Sequence, residues 1–514
     1  MREITTWISD TLWSTPMIVL VLSLGVWFSI RMLLPQIRRI ADMVRYLVGG
    51  DESTRGLSSF ESFAMALGGR VGVGNIAGVA TAIHFGGPGA VFWMWVTAFV
   101  GAAVAIAESS LAQVWKEEIN GEYRGGPAYY IEKGIGWKWL AVLYAVGTVF
   151  ATVITGPTIQ SFNIATSAET AFSIPAWVMG VLVAGLFCLV VFGGMHRLGR
   201  TVGLIVPFMA AAYIILGIVV LVLNADAVPE MFGLIFRSAF GGEAMFGGML
   251  GAVVLWGVRR AIYSSEVGTG SAAQSAAAAE VSHPVKQGLA QGFSAYVDTL
   301  FVCTITALMI LSSGTYNVVG PDGETVVEHA PGLEAGPDFT QAAIDAVLPG
   351  WGAGFIAVAM FFFAFTTLLS FGFYAETNID YLMRGGRSQR IAVTVARIGL
   401  AGSILLGALR SSDFAWSLAD VGLGFYTWVN LVALVILAPK AIAVVRDYDR
   451  QRREGKDPVF DPEAVGIHNA PVWKEIARRR EERASGVGGG AAGGGDQGHR
   501  RRRSAQRSAD TVRD

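Results

Sequence analysis

Hydrophobic positions in this chain do not alternate with polar ones; they gather into runs long enough to cross a bilayer, a length of about 18–20 apolar residues for a helix. The pattern predicts eleven spans, at 15–34, 60–85, 89–114, 137–165, 176–195, 202–223, 244–270, 287–313, 351–376, 391–409 and 415–438. Basic residues fall on alternate sides of these spans. Arg31, Arg38, Arg39 and Arg45 follow the first, and Lys116, Arg124, Lys133 and Lys138 follow the third. His196, Arg197 and Arg200 follow the fifth, Lys286 precedes the eighth, and Arg384, Arg387 and Arg390 follow the ninth. The longest loop on the other side, 313–350, holds Asp322, Glu324, Glu328, Glu334, Asp338 and Asp345 and no Lys or Arg. Lys and Arg are retained on the cytoplasmic side, so this pattern predicts an outside N-terminus and a cytoplasmic C-terminus. The first run leads into "RMLLPQIRRI" without a small-residue cleavage motif, which reads as a retained helix.

Composition agrees with a polytopic membrane protein. Of 514 residues 53% are hydrophobic and 15% charged, against about 25% charged in ordinary soluble domains. A net charge of −1 gives no reason to invoke a nucleic-acid partner. Cys188 and Cys303 both sit in apolar runs and read as packing residues without metal-ligand spacing. The six histidines do not cluster, and no nucleophile–base pair stands out, so an enzyme is not indicated. Past Arg446 the chain turns polar, and "SGVGGGAAGGGDQGHRRRRSAQRS" reads as a disordered tail. That tail is either simply solvated or in contact with anionic membrane lipid.

One stretch, "GRVGVGNIAGVA" from Gly69, has the glycine spacing of a dinucleotide-binding loop. Such a loop must follow a strand within a βαβ unit, whereas this one runs directly into a membrane span. Small residues there either let helices pack closely or break a helix to free backbone groups. A second stretch, "IYSSEVGTGSAAQSAAAAE", places Gly268-Thr269-Gly270-Ser271 in the seventh span as Gly72-Val73-Gly74-Asn75 lie in the second. With the first span set aside, the other ten split five and five, and each motif opens one half. Paired glycine-interrupted spans point to the binding site of an inverted-repeat transporter. A channel would instead need a ring-like filter between symmetric subunits. The segments are then 1–56 (extra helix and linker), 57–240 and 241–445 (two five-helix repeats) and 446–514 (tail).

The motifs "GRVGVGNIAGVATAI", "GGPGAVFWMWVTAFVG", "GEYRGGPAYYIEKG" and "RRAIYSSEVGTGSAAQSAAAAEVSHPVKQGLAQGF" resemble the alanine/glycine:cation symporter family over Leu57 to Pro439. The resemblance implies an all-α leucine-transporter fold with discontinuous core helices one and six, located in the plasma membrane (the bacterial inner membrane). It also implies Na⁺-coupled uptake of a small neutral amino acid such as alanine or glycine, with no organic cofactor. By that resemblance the backbone of Gly72, Val73, Gly74 and Asn75 meets the substrate carboxylate. Gln160 and Asn163 line the pocket, and Tyr263 walls it where the family usually has Phe. Carbonyls across Ile262, Tyr263, Ser264 and Ser265 take the ammonium. Sodium is expected between carbonyls of Gly68 and Val71 and the hydroxyls of Thr366 and Thr367. Ser265 and Ser370-Phe371 depart from the family's common Asn and Gly-Trp, which bears on substrate size.

Other readings stay open at this level. Charges at mid-membrane cost about 2.5–3.5 kcal/mol, so Glu266 is either an acceptor for freed backbone or part of the path. Asp298 is expected to pair with Arg259 or Arg260; if the carrier were proton-coupled, Glu266 or Asp298 would titrate. Thr366 and Thr367 could bond back to their own helix, and Gln160 with Asn163 could join helices.

Overall fold

The computed structural model describes residues 2–48, 56–242 and 247–484. In chain order its main helices are α1 (Thr15–Arg31), α2 (Ser59–Arg70), α3 (Ala77–Gly86), α4 (Ala90–Val114), α5 (Lys138–Phe172), α6 (Ala176–Val191) and α7 (Met195–Leu223). They continue with α8 (Leu250–Ser265), α9 (Ser271–Ala277), α10 (Pro284–Ser313), α11 (Gly352–Met383), α12 (Gly386–Ala408) and α13 (Ser412–Arg453). Eight apolar spans among the described residues are long enough to cross a membrane: α1 together with residues from Thr5, and α4, α5, α7, α10, α11, α12 and α13. The remaining apolar stretches of the sequence differ from these for local reasons. The stretch 60–85 is interrupted between α2 and α3; α6 has 16 residues. In 244–270, residues 244–246 lie outside the described residues, and α8 covers 16 residues before its own interruption.

Local chemistry sets these boundaries. Ser58 starts α2 with a capping box: its Oγ accepts from Glu61 N–H at 3.1 Å, and Glu61 Oε2 accepts from Ser58 N–H at 2.9 Å. The small residues of α4 leave a shallow surface, against which α8, α9 and α10 pack. Within α5 the residues Ala151–Thr155, and within α10 the residues Tyr296–Cys303, form π-type turns. Each wider turn rotates the following residues relative to a regular helix.

Two small antiparallel hairpins depart from the all-α expectation. Glu117–Ile119 pairs with Glu122–Arg124, and Asn317–Val319 pairs with Thr325–Glu328. Both lie in polar loops, where short strands at a tight turn carry no hydrophobic periodicity to read. The buried Arg124 of the first hairpin forms ion pairs with Glu376 at 2.9 Å and Asp380 at 2.9 Å, tying the hairpin to the end of α11.

The polar stretch beyond Arg446 does not begin a free tail; it continues α13 to Arg453. Its acids find partners there: Asp449 pairs with Arg39 at 2.7 Å, and Asp447 Oδ2 lies 3.2 Å from His283 Nε2. The chain then returns along the start of α10, where Phe460 N–H donates to Ser282 O at 2.9 Å. Residues from Asp461 on form a second unit, containing a helix α14 (Val472–Ala484) with an Arg478–Glu475 pair at 2.7 Å. The Gly- and Arg-rich stretch expected to be disordered, from 485 onward, lies outside the described residues.

Candidate functional site

Both glycine motifs sit where a helix stops and restarts. α2 ends at Arg70, one 3₁₀ turn spans Val73–Asn75, and α3 begins at Ala77. Asn75 supports this break with its own side chain, because its Oδ1 accepts from Gly72 N–H at 2.9 Å. Close approach of neighbouring elements favours glycine here. A methyl at Gly72 would lie 2.5 Å from Thr367 Oγ1, and one at Gly74 would lie 3.1 Å from Ser264 Cα. The second break follows Ser265: Glu266 is left-handed with φ +50°, and α9 starts at Ser271. Ser271 Oγ donates to Glu266 Oε2 at 2.6 Å across it.

One buried carboxylate joins the two breaks. Asp298 of α10 accepts from Asn75 Nδ2 at 2.7 Å, Ser264 Oγ at 2.8 Å and Thr299 Oγ1 at 2.7 Å. Its expected partners go elsewhere, since Arg259 pairs with Asp420 at 2.7 Å and Arg260 lies 3.7 Å from the same acid. Asp298 sits within the π-type turn of α10, whose altered rotation aims it at the breaks.

A small cavity of about 30 Å³ lies between the breaks. Its walls include Arg70, Gly72, Gly74, Gln160, Tyr263, Glu266, Thr367 and Phe371, with Thr152 and Thr155 of α5 and Tyr426 of α13. Tyr263 closes one side, its ring 5.2 Å from that of Trp416. A buried guanidinium, that of Arg70, and a buried carboxyl, that of Glu266, face the same space. Arg70 Nη1 donates to Gln291 O at 2.7 Å and also contacts Ser294 Oγ, while its Nε and Nη2 have no hydrogen-bond partner among the described residues. Arg70 escaped the sequence reading although its signal was present: an arginine inside an apolar run is costly and marks a functional position.

Several expected contacts are corrected by this geometry. Of the four amides assigned to the carboxylate, three are already engaged: Gly72 N–H by Asn75, Val73 N–H by Gln160 Oε1 at 3.3 Å, and Asn75 N–H by Gly72 O at 3.2 Å. Gly74 N–H has no partner among the described residues. Asn163 does not line the pocket; its Nδ2 donates to Ile159 O of its own helix at 2.9 Å. Residues Ile262 to Ser265 are helical rather than unwound. Ile262 O is taken by Glu266 N–H at 2.9 Å, which leaves the end-of-helix carbonyls of Tyr263, Ser264 and Ser265 for a ligand. Ser264 Oγ serves Asp298, and Ser265 Oγ turns back onto Ala261 O at 2.6 Å. Phe371 does line the pocket.

The oxygens assigned to sodium also separate. Thr367 Oγ1 lies 3.0 Å from Gly68 O and 3.1 Å from Phe363 O, joining α11 to the end of α2. Thr366 Oγ1 bonds to its own helix, 3.0 Å from Phe363 O, and faces Met209. The carbonyl of Val71 lies just past the end of α2 in extended backbone. No group of three acidic, His or Cys residues among the described residues could hold a metal ion. Neutral carbonyl and hydroxyl oxygens are the donor set here, and hard oxygen ligands suit a hard cation.

Sequence comparison gives the family. The profile described as the sodium:alanine symporter family matches residues 1–462. A Bacillus subtilis protein provisionally named a sodium/proton-dependent alanine carrier, YrbD, is 50% identical over 468 residues, 91% of this chain and 96% of that protein. A sodium/proton-dependent alanine carrier of Bacillus sp. (strain PS3) is 43% identical over 438 residues, covering 85% and 98%. A second Bacillus subtilis protein, GlnT, provisionally named a sodium/glutamine symporter, is 39% identical over 464 residues, covering 90% and 93%. With its two interrupted helices around one buried pocket, this chain is a membrane transporter and belongs to the sodium:alanine symporter family.

Proposed function

We propose that this chain imports a small neutral amino acid, alanine or glycine, together with Na⁺ by alternating access. The reading includes eleven membrane helices, an outside N-terminus and a five-plus-five inverted repeat opened by α2–α3 and α8–α9. The single observation that carries it is the pair of helix breaks facing one pocket that holds Arg70 and Glu266. A zwitterion matches that pocket: its carboxylate takes Gly74 N–H and the positive side, and its ammonium takes the carbonyls ending α8 and the Glu266 side. Gln160 is displaced from Val73 N–H by the incoming carboxylate, and Tyr263 and Phe371 limit the side chain. Na⁺ takes Gly68 O, Val71 O and Thr367 Oγ1, at the junction of the first break with α11.

Energetically one Na⁺ is sufficient. A membrane potential of about 100 mV supplies about 2.3 kcal/mol per charge, enough for about 40-fold accumulation at about 1.4 kcal/mol per decade. The test is uptake into proteoliposomes from an amino-acid panel under imposed Na⁺ gradients. Na⁺-dependent accumulation of alanine or glycine is expected. Uptake that ignores Na⁺, or a preference for charged amino acids, would remove the reading.

A further inference from the structure

Glu108 lies within α4 beside the second break and is fully buried. Its Oε2 accepts from Asn430 Nδ2 at 3.1 Å, while its Oε1 has no hydrogen-bond partner among the described residues. The amides of Gly268 and Gly270, both in the break, face the same carboxyl group. Asn430 binds the break as well, donating to Gly268 O at 2.9 Å. The carboxyl is thus built into the junction between α4, α13 and the interruption that separates α8 from α9.

Charge bookkeeping makes the group chemically active. The charged and titratable groups that act on Glu108 are Arg70 at the end of α2, Tyr130 of the short helix Pro127–Tyr130, and Tyr144 of α5. α13 presents the neutral Asn430, and α10 meets α4 through Gly288 and Gly292. Arg70 in turn faces three buried acids, Glu108, Glu266 and Asp298. One guanidinium against three carboxylates leaves a net charge of −2 if all are ionised (1 − 3 = −2). Asp298 already accepts from three donors. Glu266 keeps one oxygen on Ser271 and lines the pocket. Of the three, Glu108 is the one with a buried carboxyl oxygen that has no hydrogen-bond partner among the described residues, and a proton on that oxygen removes the cost of burying it charged.

We propose that Glu108 is a proton-binding site, loaded while the α8–α9 interruption is packed against α4, and that its proton crosses the membrane with the substrate. The proposal rests on the symport reading above. The proton comes from water on the side to which the junction is open, adds to Oε1, and leaves to water on the opposite side. No other bond changes.

The experiment uses the full chain in proteoliposomes, with a fixed inward Na⁺ gradient and labelled alanine, with and without an inward pH gradient. If one proton moves per substrate, each unit of pH gradient multiplies accumulation about tenfold, since both correspond to about 1.4 kcal/mol. The expected ratio is about ten for the wild type and about one for Glu108→Gln, each measured against its own Na⁺-driven uptake. Glu108→Asp, which keeps a titratable group, is expected to retain part of the stimulation. Should Glu108→Gln fail to fold, infrared difference spectra of the wild type and Glu108→Asp supply the readout, through an acid carbonyl band that shifts with the side chain. A wild-type ratio of one overturns the proton site while intact Na⁺-driven uptake leaves the symport reading standing. A ratio of ten in Glu108→Gln, or an acid band that does not shift in Glu108→Asp, overturns it as well.

Discussion

Gly72→Ala separates the packing of the first break from its proposed role in holding Na⁺. The added methyl would stand 2.5 Å from Thr367 Oγ1 and 3.3 Å from Gln160 Oε1. The Thr367 hydroxyl is the end of a side chain and can swing away, so the backbone need not move. The swing removes the donor that Gly68 O now receives at 3.0 Å. A buried acceptor left without its donor costs about 1–3 kcal/mol. The same displacement takes one proposed oxygen ligand from Na⁺, so the Na⁺ concentration for half-maximal uptake is expected to rise, about tenfold for each 1.4 kcal/mol of ligation lost. Thr367→Ala removes the obstructing oxygen. In the double variant the steric strain disappears, yet weak Na⁺ activation persists. Thermal melts in detergent and Na⁺ titrations of uptake on the four proteins close a double-mutant cycle whose coupling isolates the contact. Additive effects in both measurements, or unchanged Na⁺ activation in Gly72→Ala, would refute the reasoning.

Selectivity offers a second check: Phe371→Trp should narrow competition toward glycine and alanine, whereas Ser265→Asn should leave the ranking unchanged because that hydroxyl bonds to Ala261 O outside the pocket. An equal shift in both variants would show that the pocket has been drawn wrongly. Acid sensitivity is expected at His283, whose Nδ1 accepts from Val285 N–H at 3.2 Å and whose Nε2–H faces Asp447. Burial holds this imidazole below its ordinary 6.5, so its contribution is complete above about 6.5 and is lost as pH falls and the unfolded chain takes up a proton first. Melts should lose up to about 1.4 kcal/mol per pH unit in that window, and parallel pH profiles for wild type and His283→Asn would exclude it.

What the sequence carries most clearly is where helices cannot be continuous. Gly72, Gly74, Gly268 and Gly270 mark positions where a side chain would collide or the backbone must turn left-handed, and these constraints are written in residue identity. Side-chain direction is written much less clearly. Asn163 follows Gln160 by three residues, about one helical turn, yet only Gln160 reaches the pocket, because that turn carries Asn163 further along α5, where its amide donates to Ile159 O. Asp298 shows the same effect in α10, aimed at Asn75 and Ser264 instead of Arg259. Amides freed by a break are also invisible as free or used, since Asn75 and Gln160 fill two of them with their own oxygens. Arg70 was legible by cost but hidden inside a motif read for its glycines.

The same arginine constrains how the chain is made. Its partners Gln291 and Ser294 follow 221 and 224 residues later. At about 5–20 residues per second of synthesis, the guanidinium waits roughly 10–45 s before α10 is delivered. During that interval α2 carries an insertion penalty of about 2.5–3.5 kcal/mol with no partner to offset it. Asp298 has the opposite history, because Asn75 and Ser264, two of its three donors, are both translated before it. The first half of the chain therefore leaves the ribosome with α2 only provisionally seated, and nascent chains that stop short of α10 present a stranded charge to membrane quality control.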